Sequence, residues 1–105
     1  MGRLFAALRR GRLDEALSLY GPSFALVSAE RVVRDPEGAR TFYQSMLQRL
    51  EGRTLSLLSQ RGTRVAVRAR WASRQKDGTS VQGADTFHLN REGQIVYHQT
   101  TFRTE

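Results

Sequence analysis

Between residues 79 and 103 apolar and polar positions alternate along two arms, TSVQGADTFHL and QIVYHQTTFR, on either side of Asn90-Arg91-Glu92-Gly93. Thr, Val, Phe, Ile and Tyr dominate both arms, and these residues favour strands. The stretch predicts two long strands joined by a tight turn. With Leu89 and Gln94 flanking a four-residue turn, Phe87 faces Val96 and Asp85 faces His98. Side chains alternate faces along a strand. One face then carries Asp85, Phe87, Leu89, Gln94, Val96, His98, Thr100 and Phe102; the other carries Thr86, His88, Ile95, Tyr97, Gln99 and Thr101. The first is the more apolar and is taken as the inner face. Directly opposed positions lie roughly 5 Å apart at Cβ, which brings the Asp85 carboxylate and the His98 imidazole within hydrogen-bonding reach. A slip of one residue would send them to opposite faces.

The rest of the chain divides by period. Leu4, Phe5 and Leu8 sit at helical spacing before Gly11, and Leu13, Ala16, Leu17 and Tyr20 form a second stripe ended by Gly21-Pro22. Phe24 to Ser28 reads as a short strand, with Arg31 to Arg34 as its partner. Asp35-Pro36 is a helix start, with Asp as N-cap and Pro at the first helical position. Ala39, Phe42, Tyr43, Met46, Leu47 and Leu50 then form one continuous apolar face, closed by Gly52. Arg53 to Arg61 and Arg64 to Ser73 read as strands around a Gly62-Thr63 turn, with Val65, Val67, Ala69 and Trp71 on one face. Lys76-Asp77-Gly78 signals the next turn.

Helices followed by long strands in series predict an α+β fold. Its antiparallel sheet curves strongly and wraps around the N-terminal helices. Such a cone has a pocket where the helices do not fill it. At 105 residues, with no repeats or linkers, the chain is expected to be a single domain over 1–105.

Composition narrows the chemistry. The chain has no Cys, which excludes disulfides, thiol catalysis and thiolate metal sites and is compatible with a reducing cytoplasm, the expected location. No apolar run approaches a membrane span, and the N-terminus lacks the long apolar core of a secretory signal. The two His fall on opposite faces, so no metal site is expected, and no phosphate loop, dinucleotide fingerprint or Ser-His-Asp set is present; no cofactor is implied. The net charge of +7 raises nucleic acid as a partner. The arginines, however, are spread from Arg3 to Arg103, with Arg61, Arg64, Arg68, Arg70 and Arg74 the tightest group. Solvated surface charge is the expected reading, and salt-sensitive binding through residues 61–74 the minor one.

The order RRGRLDEALSLY, short strand, DPEGARTFYQSML, VAVRARW and DGTSVQGADTFHLNREGQIVYHQTTF resembles the nuclear transport factor 2-like superfamily, in its SnoaL-like branch. The resemblance spans nearly the whole chain and rests on element order and on the ending G-x-D-x-F-x-L-x-x-x-G-x-I. It implies a curved sheet around helices, a conical pocket and frequent dimers through the sheet. Members include isomerases, cyclases, dehydratases, epoxide hydrolases and non-catalytic binding or assembly domains. The ketosteroid isomerases of the superfamily use a carboxylate base after the first strand, with a Tyr and a protonated Asp at the oxyanion. Asp85, in A-D-T-F, matches that Asp. Ser28 stands where the base belongs and Leu4 where the Tyr belongs, so the resemblance does not extend to that activity. His98, Thr100 and Phe102 match positions that line the pocket there.

Each candidate has two readings. Asp85 and His98 form an acid–base pair, or Asp85 is a buried carboxylate satisfied by Tyr, Trp or backbone donors. Tyr20, Tyr43 and Trp71 present polar groups to a ligand, or are core residues with polar tips at the rim. Phe42, Phe87, Thr100 and Phe102 complete the expected walls. Glu30 and Arg31 stand at the mouth, or in a solvated turn. The expected function is small-molecule binding, of a hydrophobic or amphipathic ligand, with isomerase, cyclase or hydrolase chemistry at Asp85 and His98. The alternative is a non-catalytic accessory domain that dimerises through the outer sheet face (Arg68, Arg70, His88, Tyr97, Gln99, Thr101). The residues leave enzyme and binding domain both open.

Overall fold

The computed structural model describes residues 2–50, 55–75 and 78–104. Three helices, α1 (Gly2–Arg9), α2 (Leu13–Leu17) and α3 (Pro36–Leu50), combine with six strands. The strands are β1 (Tyr20–Val27), β2 (Val32–Val33), β3 (Leu55–Gly62), β4 (Ala66–Arg74), β5 (Ser80–Leu89) and β6 (Ile95–Thr104). They form one sheet in the order β2-β1-β6-β5-β4-β3. The four long C-terminal strands are antiparallel neighbours, as expected. β1 lies parallel to β6. The sheet is therefore mixed rather than antiparallel throughout.

α3 forms as its pattern predicts. Asp35 Oδ2 accepts from Gly38 N–H at 3.2 Å, capping the helix that starts at Pro36. Ala39, Tyr43, Met46 and Leu50 are buried, and Phe42 and Leu47 pack beside them. α1 buries Leu4, Phe5, Ala7 and Leu8. These two helices fill the inner side of the sheet. The expected stop at Gly52, the strand start at Arg53 and the Lys76-Asp77 half of the next turn lie outside the described residues.

Three register irregularities mark the sheet, between Tyr20 and Ala25 in β1, Leu57 and Ser59 in β3, and His88 and Leu89 in β5. Bulges bend a strand and raise its twist, which suits a sheet that curves round its helices.

The irregularity at His88/Leu89 corrects the predicted hairpin register. The turn is where it was expected: Gly93 has φ 78°, and Asn90 Oδ1 accepts from the N–H groups of Glu92 and Gln94. Leu89, however, pairs with Ile95 and His88 with Tyr97, which leaves Val96 as the extra residue. Phe87 consequently faces His98, not Val96, and Asp85 faces Thr100, not His98. The offset amounts to two residues, so the faces survive beyond the bulge. Before it they do not: Ile95 is fully buried, against its expected outward position.

Two further positions differ. Tyr20 closes no helix; it begins β1, pairs with Ile95 and is buried. Val65 is exposed, because its N–H is given to Thr63 Oγ1 in the turn and β4 starts one residue later.

Candidate functional site

β5 and β6 are the central strands, and their inner face carries the polar residues singled out in the sequence. Asp85, His98 and Thr100 are all buried there. Asp85 and His98 are diagonal neighbours, a separation that aromatic and long side chains span. His98 Nε2 lies 3.6 Å from Asp85 Oδ2. That distance is too long for a hydrogen bond.

The other edge of the imidazole is held more tightly. Tyr20 and His98 Nδ1 hydrogen-bond at 2.7 Å, and Tyr20 and Tyr43 hydroxyls at 2.5 Å. Phe87 stacks on the ring at 4.2 Å between centroids. Burial pushes both phenols well above their usual range; the hydrogen bond from Tyr43 works against this at Tyr20, and the charge of Asp85 adds to it at both. The tyrosines therefore stay protonated and serve as neutral donors. When Tyr20 donates to Nδ1, the neutral imidazole carries its proton on Nε2, on the side of Asp85.

Four buried side-chain polar atoms among the described residues lack a protein partner, and two of them are Asp85 Oδ1 and His98 Nε2. Both residues border the same void, of about 10 Å³, with Tyr43, Trp71 and Leu4 among its other walls. That volume is at the lower limit for one water molecule. Trp71 fills the adjoining space by lying across Gly83, where a Cβ would overlap the indole. The deep part of the cone is thus nearly filled.

A larger space opens beside it. A cleft of about 280 Å³ runs between α3 (Thr41, Phe42, Ser45, Met46, Arg49), residues Ser28–Arg31 and Thr100–Phe102 of β6. Phe42, Met46 and Thr100 border both the cleft and the void. At the mouth Arg49 Nη2 stands 4.0 Å from Glu30 Oε1, and its guanidinium lies 6.0 Å from the Phe102 ring centre.

The expected walls therefore divide. Phe42, Thr100 and Phe102 line the cleft, while Tyr43 and Trp71 line the void. Tyr20 and Phe87 border neither; they hold His98 from its two sides. Glu30 and Arg31 do stand at the mouth. Thr41, Ser45 and Arg49 were missed as site residues. Their signal was present as a polar stripe on α3 alongside the apolar face, at spacings of four residues. Among the described residues, no group of three or more His, Asp or Glu is placed to hold a metal ion, and no helix is long and apolar enough to cross a membrane.

The chain matches the SnoaL-like domain family over residues 1–98. No match is found among curated proteins. Solved structures resemble it closely in shape. A SnoaL-like protein of unknown function from Burkholderia thailandensis superposes with a TM-score of 0.78 at 16% identity, covering 96% of this chain and 89% of that one. The epoxide hydrolase/cyclase-like enzyme SalBIII, linked to pyran ring formation in the polyether salinomycin, gives 0.78 at 15%, covering 97% and 86%. A de novo designed protein with a curved β-sheet gives 0.81 at 11%, covering 95% and 79%. At these identities the likeness is one of fold.

Proposed function

This chain belongs to the SnoaL-like domain family, and from that premise we propose that it binds a small, partly apolar molecule in the α3–β6 cleft and acts on it through Asp85 and His98. The observation that carries this reading is the pair of partnerless atoms, Asp85 Oδ1 and His98 Nε2, at one void. Leaving a buried polar group unpaired costs about 1–3 kcal/mol. Two such groups side by side are positioned for something other than stability. Displacement of the Met46 side chain, unbranched and adaptable, joins the cleft to the void and gives a ligand access to both. The pair then serves proton transfer: the Asp85 carboxylate takes a proton from the ligand and returns it, while the His98 Nε2–H hydrogen-bonds to the ligand oxygen on which charge develops. Isomerisation, cyclisation and hydrolysis all use such a pair. Asp85→Asn and His98→Gln should each abolish turnover, or lose binding of fragments found to occupy the cleft, while thermal unfolding remains cooperative. If both variants act on and bind the same fragments as the parent, the assignment is wrong.

A second reading has its own observation, the near-complete filling of the cone beside Asp85. A domain used only for assembly has no need of an open interior. In that case the outer sheet face carries the function as a homodimer interface. Its residues Arg68, Arg70, His88, Gln99 and Thr101 are exposed, with Tyr97 half-buried against His88. Light scattering separates the two: a species that stays monomeric at high concentration removes this second reading.

A further inference from the structure

We propose, building on the cleft as the ligand site, that its ligand is a small carboxylic acid whose carboxylate is gripped at the mouth by Arg49 and Arg31. Three observations converge on this. The mouth is lined by two arginines, Arg31 and Arg49, and one glutamate, Glu30, so its net charge favours an anion. Arg49 already points across the cleft, over the Phe102 ring, and the group it reaches is a carboxylate. That contact, at 4.0 Å between two largely exposed side chains, is screened and weak. An incoming carboxylate accepts two parallel N–H bonds from the guanidinium fork, which the distant Glu30 does not. Glu30 thus marks the place of the ligand's head and gives it up readily.

The remaining wall sets the rest of the ligand. Phe42, Met46 and Phe102 are apolar and face the cleft behind Arg49. A volume of about 280 Å³ lies just below the usual range for drug-sized ligands, which suits a single ring or a short chain. With the carboxylate at the mouth, the opposite end of the molecule meets Thr100 and, past Met46, Asp85 and His98. The carboxylate is a handle, and the reacting atoms lie at the far end.

Phenylacetate and its neutral counterpart phenylacetamide test this. Titration of each into the parent, Arg49→Gln and Glu30→Gln proteins is followed at low ionic strength through the Met46 methyl signal. The proposal expects phenylacetate to bind the parent more tightly than the amide. Arg49→Gln should weaken phenylacetate about tenfold and leave the amide unchanged, since hydrogen bonds to charged groups are the stronger kind. Glu30→Gln should tighten phenylacetate roughly two- to threefold by removing the competitor. Equal binding of acid and amide, indifferent to both substitutions, overturns the carboxylate assignment and leaves the cleft as a site. Binding by neither probe overturns the cleft reading along with it.

Discussion

On one side of Phe42, Met46 and Thr100 the side chains of Tyr43, Trp71 and Leu4 leave a void of about 10 Å³; on the other, the same three residues border a cleft of about 280 Å³. The inner side is made by long-range contacts between helices and the two central strands, and His98 is held there by Tyr20 and Phe87. The mouth is made by α3 and the 28–31 connection, with charged groups that are largely exposed. Rigid placement suits groups that move protons, and adaptable surface suits the recognition of what enters. Burial and ligand access need not coincide: the residues with the sharpest chemistry lie behind the opening. Four measurements press on this contrast.

The largest effect belongs to the packing around His98. Phe87 is fully buried and stacked on the imidazole, so Phe87→Ala should cost about 4 kcal/mol in denaturant unfolding. Phe102→Ala at the cleft should cost about 1–2 kcal/mol. Equal costs would mean that the two sides are not packed differently.

Next comes alkaline pH. The folded state holds the Tyr20 and Tyr43 phenols protonated far above 10, chiefly through burial, whereas the unfolded chain releases both protons near 10. Above that pH the unfolded state binds fewer protons, so stability must fall as pH rises; below it the two groups contribute no slope. Both together predict a loss of about 2.7 kcal/mol per pH unit above 10. Tyr43→Phe should halve the slope. A flat profile up to pH 11 in the parent would show that the phenols are not sealed from solvent.

Asp85→Asn should change stability by less than about 1 kcal/mol, since it removes a buried charge whose Oδ1 has no partner. Its effect should appear in function instead. A loss of several kcal/mol would assign Asp85 to the structure and not to the ligand. The smallest effect is expected at Arg49, exposed on α3. Arg49→Gln should alter stability by no more than about 0.5 kcal/mol while reporting on acid binding as described above.

Much of this was legible in the sequence because period carries face. The 3.6-residue pattern from Ala39 to Leu50 placed α3 and its buried side. The alternation in β5 and β6 placed Asp85, Phe87, His98, Thr100 and Phe102 on one inner face, and that face survived an error in register because a two-residue offset preserves parity. Alternation within one strand does not reveal a bulge in its hairpin, so Val96 as the extra residue, and Ile95 turned inward, were decided by tertiary pairing. Tyr20 likewise fits a helical stripe by spacing, but its backbone is claimed by β6. The cleft was the least legible feature. Its lining draws on Ser28–Arg31, α3 and β6, segments distant in the chain, and Phe42, Met46 and Thr100 part it from the void behind. Residue pattern determines which side chains share a face; how far they pack before a space is left depends on three elements meeting at once, which only the folded structure settles.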